Sequence, residues 1–267
     1  CKSSKRKAVN WRVFSIFARQ MKLRLAIDQG NSSTKLSIFD DEKIVAAERH
    51  DLLTVAALDD LTKRFHTASA IYSSVVGNHN EIIELLKAKN IKCYVVDKNL
   101  PLPIKIDYAT PHTLGHDRIA VAVGAIGCHP GRNMLVVDSG TAITYDVVTA
   151  DGHFRGGNIA PGINTRFEAL SHYCAQLPLV DANGDVPMTG YDTPTAIRAG
   201  VVLGVVAEVT YMAKRLSATY GDDLTVMLTG GDSGIIAKRL EISNNVEIND
   251  NLVTLGLNRI LKYNELL

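Results

Sequence analysis

The chain has 267 residues, 46% hydrophobic and 21% charged, enough to bury one large core or two modest ones. Its formal charge is +1, but the first twenty residues hold six basic side chains and no acid, leaving 23 basic against 28 acidic residues in the remainder. A mildly acidic body argues against nonspecific nucleic-acid binding through many phosphate contacts, and no apolar run approaches the roughly 20 residues of a membrane span. Cys1, Cys93, Cys128 and Cys174 lie far apart, with no C-x-x-C or histidine-paired spacing for zinc or a disulfide framework, so the expected setting is the cytoplasm with reduced thiols.

Residues 1–20 surround a short apolar patch, 13–18, with no small-x-small cleavage site after it; they are expected to be a leader outside the fold. From Met21 the residues Leu23, Leu25 and Ile27 alternate into Asp28. Strand character resumes over 35–39, turns at Asp40-Asp41-Glu42 and runs again over 44–46, which predicts a three-strand meander. Helices are expected over 55–66, 80–89 and 118–127, and strands over 70–75 and 93–96. The meander then recurs: 134–137 enters Asp138, 142–148 returns, 149–152 turns and 154–159 makes a third run. Helices over 164–171, 193–220, 233–240 and 252–263 and a strand over 224–228 complete the second half. Self-similarity of this kind predicts an α/β protein of two related halves, 21–132 and 133–267, with the closing helix packing back on the first.

Chemistry concentrates at the repeated turns. Asp28-Gln29-Gly30-Asn31-Ser32-Ser33-Thr34-Lys35 has the parts of a phosphate cradle without the spacing of a Walker loop: a glycine for close backbone approach, amide and hydroxyl donors, a lysine for charge, and a carboxylate for magnesium. Asp138-Ser139-Gly140-Thr141-Ala142-Ile143-Thr144 repeats the plan without a lysine, which suits it to a metal and the distal phosphates. Gly156-Gly157-Asn158-Ile159-Ala160-Pro161-Gly162 and Thr229-Gly230-Gly231 add further glycine turns, the latter expected to open a helix toward an anion or an adenosine edge. Between the cradles, Gly115-His116-Asp117-Arg118 puts a potential general base beside a guanidinium that can clamp a carboxylate, a pairing suited to phosphoryl transfer onto an alcohol. The long helix over 193–220, rich in Ala, Val and Gly, is expected to pack against its own domain or a second subunit.

In this order the motifs resemble those of the type III pantothenate kinases, within the superfamily of acetate kinase, sugar kinases, Hsp70 and actin. The resemblance covers Met21 to the C-terminus. It implies a duplicated ribonuclease H-like, actin-like ATPase fold with two half-domains, each a mixed central sheet flanked by helices. It further implies ATP-dependent phosphorylation of pantothenate to 4′-phosphopantothenate, the first step of coenzyme A biosynthesis, in a homodimer that binds neither nucleic acid nor membrane. By the same resemblance Asp117 is the base, Asp28 through Lys35 and Thr141 bind ATP with Mg²⁺, and Asp138 holds a monovalent cation, K⁺ or NH₄⁺. Tyr108, Gly115, His116, Asp117 and Arg118 are expected at pantothenate, with Arg118 on its carboxylate and Thr193 reaching it across the dimer. The rivals are a transcriptional accessory protein of the same fold without catalysis, and another small-molecule kinase of the superfamily, which would need a different acceptor motif.

Overall fold

The computed structural model describes residues 23–77 and 80–267; the expected leader, 1–20, lies outside the described residues. Apolar alternation builds β1 (Leu23–Gln29), β2 (Thr34–Asp40) and β3 (Lys43–His50) into an antiparallel meander. Thr54 caps α1 (Val55–Arg64) by accepting the Ala57 N–H at 3.2 Å, and β4 (Thr67–Ser74) returns parallel to β1. After α2 (Asn80–Ala88), β5 (Lys92–Val95) completes a sheet of order β3-β2-β1-β4-β5. A linker then carries the short β6 (Lys105–Ile106) to α3 (His116–Cys128).

The second half repeats the plan. β7 (Met134–Ser139), β8 (Ala142–Val148) and β9 (His153–Pro161) form the meander, followed by α4 (Ile163–Tyr173), α5 (Thr193–Tyr220), β10 (Thr225–Thr229), α6 (Ser233–Ala237), β11 (Asn245–Ile248) and α7 (Leu252–Leu266). The sheet order is β11-β10-β7-β8-β9-β6, so its first five strands reproduce the first sheet and β6, from the first half of the chain, extends the β9 edge. β7 and β10 are apolar on both faces, as strands flanked by other strands and covered by helices require, whereas β3 alternates because it is an edge with one wet face.

Two helices are exchanged between the halves. α3, from the first half, packs on β7 and β8; α7, the last helix, packs on β1, β2 and β4; and the two cross each other. Gly124 and Gly256 make that crossing close: a Cβ on Gly124 would stand 2.2 Å from the Leu252 carbonyl oxygen, and one on Gly256 would stand 1.8 Å from that of Ala120. Leu252, Leu257, Ile260 and Leu261 of α7 thereby share one core with Ala26, Phe39 and Ile71 of the first sheet and Met134 and Val136 of the second.

Three expectations need correction. By length and composition α5 is apolar enough to cross a membrane, because Arg198 and Glu208 interrupt its apolar runs without dominating its average. One face, with Ile197, Val201, Val205 and Val209, packs on Leu135, Val137 and Val226 of the second sheet, while Ala196, Gly200, Ala207 and Tyr211 are exposed. α6 ends at Ala237 rather than 240, so only a five-residue helix follows Thr229-Gly230-Gly231 and its dipole is small. β6 and β11 went unpredicted; at two and four residues they are too short to show a period.

Candidate active site

Both meanders open toward one cleft. The loop between β1 and β2 is closed by a hydrogen bond from the Gly30 N–H to the Ser33 carbonyl (3.0 Å), and the loop between β7 and β8 by one from the Gly140 N–H to the Ala142 carbonyl (3.0 Å). They face each other at contact distance: Ser32 Oγ lies 3.2 Å from Thr141 Oγ1. Gly230, at φ 88°, lets the turn after β10 lie on the second loop, since a Cβ there would stand 2.6 Å from Asp138 Oδ1 and 2.3 Å from the Ser139 carbonyl oxygen. The cleft between the two loops has a volume of about 180 Å³, with Asp28, Lys35, Asp117, Asp138 and Thr141 among its lining. A wider pocket of about 610 Å³ adjoins it, sharing Lys35, Arg49, Gly230 and Gly231 and extending past Ser233 to Ile248 and Asn251.

The cleft is short of positive charge. Burial pushes the Asp28 carboxyl up to about 7, only partly opposed by Lys35, and Asp138 and Asp117 push it the same way. Burial likewise takes Asp138 up to about 6, again with Lys35 opposing and Asp117 and Asp146 adding. Lys35 gives Nζ to the Asp250 carbonyl oxygen at 3.1 Å. Among the described residues no three His, Cys, Asp or Glu side chains converge as a closed metal cage. Two facing, under-neutralised carboxylates fit a hard cation that takes one or two protein oxygens and fills its shell from phosphates and water, as Mg²⁺ does.

The expected residues divide in two. Asp28, Gly30, Asn31, Ser32, Ser33, Lys35, Asp117, Asp138 and Thr141 line the cleft together. Gln29 and Thr34 are buried in the strands beside it; the Gln29 side chain accepts from Tyr72 (2.5 Å) and Ser74 (3.0 Å) inside the first sheet. Gly115 caps α3 and His116 and Asp117 begin it, with Asp117 Oδ1 accepting the Arg118 N–H at 2.8 Å. Arg118 is only 5% exposed and already engaged, giving Nε (2.9 Å) and Nη2 (2.5 Å) to Asp146 Oδ1. Tyr108 lies beside it, the guanidinium carbon 5.7 Å from its ring centre and 5.5 Å from that of Phe154. Thr193 opens α5 as expected, exposed after a capping box of Asp192 and Thr195, and borders a separate open groove with Leu170, Leu177 and Tyr191.

Sequence reading missed Arg49 and Asp146. Arg49 pairs directly across from Lys35 on β3, lines both the cleft and the wider pocket, and gives Nε to Ser33 Oγ at 3.0 Å. Its only sequence signal was an arginine in an alternating strand. Asp146, fully buried on β8, carried none, because a carboxylate in an apolar run is meaningful only once its partner is known.

Comparison with known proteins places this geometry. The profile of the type III pantothenate kinases matches residues 24–215. A type III pantothenate kinase of Phocaeicola vulgatus is 40% identical over 243 residues, covering 91% of this chain and 99% of the relative. Those of Porphyromonas gingivalis and Christiangramia forsetii are 37% and 35% identical over 247 residues, each covering 91% of this chain and 100% and 99% of their own lengths. Among solved structures, a Campylobacter jejuni protein named as a Baf family transcriptional activator aligns with a TM-score of 0.58 at 23% identity, over 91% of this chain and all of that one. A ROK hexokinase of Thermus thermophilus aligns with a TM-score of 0.53 at 12% identity, over 91% and 99%. These two likenesses concern the fold alone: two mixed sheets flanked by helices, as in the sugar kinases and actin-like ATPases.

Proposed function

The chain belongs to the type III pantothenate kinase family, and from that premise we propose how its cleft carries the γ-phosphoryl group of ATP to the primary alcohol of pantothenate. The protein is a pantothenate kinase, forming 4′-phosphopantothenate in coenzyme A biosynthesis. The observation that carries the residue assignment is Asp117, at the head of α3, lining the cleft between the two facing loops.

In this reading the residues Asp28 through Lys35, joined by Arg49 and Thr141, hold the triphosphate, and the wider pocket beside Gly230 and Gly231 takes the nucleoside. Lys35 and Arg49 are like charges placed directly opposite on adjacent strands, an arrangement that repels until an anion lies between them. Asp117 accepts the proton of the pantothenate hydroxyl as its oxygen attacks the γ-phosphorus and the bond to ADP breaks. Asp28, with Asp138 facing it, would hold Mg²⁺, which neutralises charge on the phosphates; Asp138 would also hold K⁺ or NH₄⁺. Tyr108, Gly115, His116 and Arg118 bind pantothenate, Arg118 through the carboxylate.

The reading extends to the whole molecule. The two half-domains, 21–132 and 133–267, close on the nucleotide. The exposed Ala196, Gly200, Ala207 and Tyr211 face of α5 meets a second copy in a homodimer, which would bring Thr193 of the partner subunit to pantothenate. The enzyme works in the cytoplasm, independently of nucleic acid and membrane. Free thiols at Cys93, Cys128 and Cys174 agree with a reducing compartment, and burial pushes the Cys93 thiol up to about 11, as befits an inert core cysteine.

The test is direct. Purified protein with ATP, Mg²⁺ and pantothenate is expected to release 4′-phosphopantothenate, faster with K⁺ than without. Absence of product under both conditions would leave a nucleotide-binding regulator of the same fold.

A further inference from the structure

The buried pair of Arg118 and Asp146 does something that neither ATP binding nor the base requires. Asp146 sits on β8 opposite Val136 of β7 and Gly157 of β9, with no side-chain exposure. Gly157 makes room for it, since a Cβ there would stand 2.6 Å from Asp146 Oδ1. Both hydrogen bonds from Arg118, through Nε and Nη2, converge on that single oxygen, and Oδ2 makes none. The pair is therefore not the side-on fork in which an arginine and a carboxylate satisfy each other with two parallel bonds. On the other side the guanidinium plane is flanked by the rings of Tyr108 and Phe154.

Such an arrangement is poor as a stability device. A buried ion pair often contributes less than apolar groups of the same size would, and this one leaves a carboxylate oxygen without a partner. It is efficient as a jig. One edge of the guanidinium is pinned by Asp146, Tyr108 adds a side-chain hydrogen bond, and the rings of Tyr108 and Phe154 lie beside it, so its orientation is fixed before any acceptor arrives.

We propose that Asp146 is a positioning residue for the acceptor substrate: by holding the Nε and Nη2 edge of Arg118, it orients the guanidinium for the pantothenate carboxylate. This rests on the proposed role of Arg118, and the experiment separates the two. Steady-state kinetics would be measured for wild type, Arg118→Gln, Asp146→Asn and Asp146→Ala, with pantothenate and with its neutral primary amide as acceptors. In wild type the carboxylate is preferred. Arg118→Gln abolishes that preference; if it does not, the assignment of Arg118 falls first. Asp146→Asn keeps the side chain's shape and one accepting oxygen but loses the carboxylate's negative charge, and Asp146→Ala loses the acceptor altogether. The KM for pantothenate therefore rises about 3-fold to 10-fold in Asp146→Asn and about 10-fold to 100-fold in Asp146→Ala. The KM for ATP and the kcat stay within about threefold of wild type, and the preference over the amide shrinks in the same order.

Should Asp146→Ala fail to fold, the isosteric Asp146→Asn still carries the comparison. If Arg118→Gln removes the preference while Asp146→Asn leaves the pantothenate KM and the preference untouched, Asp146 is no positioning residue. A pantothenate KM that falls, as freed positive charge alone would produce, overturns the proposal. So does a parallel loss in kcat and in both KM values, the mark of a merely structural role.

Discussion

Equivalent strand positions in the two sheets allow the phosphate loops to be compared residue by residue. In the first sheet Asp28 of β1 pairs with Lys35 of β2, which pairs with Arg49 of β3; in the second, Asp138 of β7 pairs with Thr144 of β8, which pairs with Ile159 of β9. The backbone plan is the same, and each row begins with a half-buried carboxylate held above its usual range. Only the first row then supplies its own cations. The second offers a hydroxyl and an exposed isoleucine, and the positive charge that opposes the rise at Asp138 is that of Lys35, from the first row. Duplication built the cleft, and divergence at two register positions gave its walls different tasks.

The largest expected effect comes from the residue outside both rows. Asp117→Asn lowers kcat by about 10²–10⁴-fold with an unchanged circular dichroism spectrum; near-normal turnover would remove Asp117 as the base. Next comes the first row: Lys35→Gln raises the KM for ATP by about 10-fold to 100-fold, and Arg49→Gln by less, with the pantothenate KM moving little in either. Equal effects on both substrates would break the assignment of this row to ATP.

A charge transplant tests the second row. Thr144→Lys sets an ammonium opposite Asp138, as Lys35 is set opposite Asp28, and is expected to reduce stimulation by K⁺ to less than about twofold. Undiminished K⁺ stimulation in a folded variant would show that the cation sits elsewhere.

Smaller effects follow from pH. Asp28 and Asp138 have pKa values of about 7 and about 6 in the free protein, above those of an unfolded chain, so the native state holds these protons more tightly. The free protein therefore holds this stability in full below the ordinary carboxyl value of 3.8 and loses it progressively as pH rises from there through about 6 and about 7, whereas kcat/KM for ATP moves the opposite way. Asp28→Asn should raise the Tm of the free protein at pH 8 by roughly 2–8 °C while abolishing stabilisation by MgATP. A Tm that falls at pH 8 would mean that Asp28 is neutralised in the free protein by contacts other than Lys35.

Much of this was legible before any coordinates. Both meanders, the limits of α5 at Thr193 and Tyr220, and the facing of Asp28 and Asp138 follow from periodicity and from one motif found twice, whereas Asp117 came from the separate Gly115-His116-Asp117-Arg118 motif and the family resemblance. What stayed hidden depends on neighbours distant in sequence. Arg49 is ordinary until β3 lies against Lys35, Asp146 is ordinary until Arg118 reaches it, and the strand nature of Lys105 and Ile106 exists only because β9 runs alongside. Also hidden was the orientation within the first loop: Gln29 and Thr34 belong to the motif by position, but strand alternation turns their side chains into the protein and leaves only their backbone for the cleft.

The exchange of α3 and α7 has a further consequence for biosynthesis. As the chain leaves the ribosome, the first sheet can pair all five of its strands long before Leu252–Leu266 has been made, yet Ala26, Phe39 and Ile71 share a core with that helix. Until it arrives, one apolar face of the nascent sheet stays wet. Close packing at Gly124 and Gly256 then completes both halves in a single late event. A ribosome-stalled chain ending before α7 should accordingly bind hydrophobic dyes and chaperones, and the released chain should lose that binding in one cooperative step.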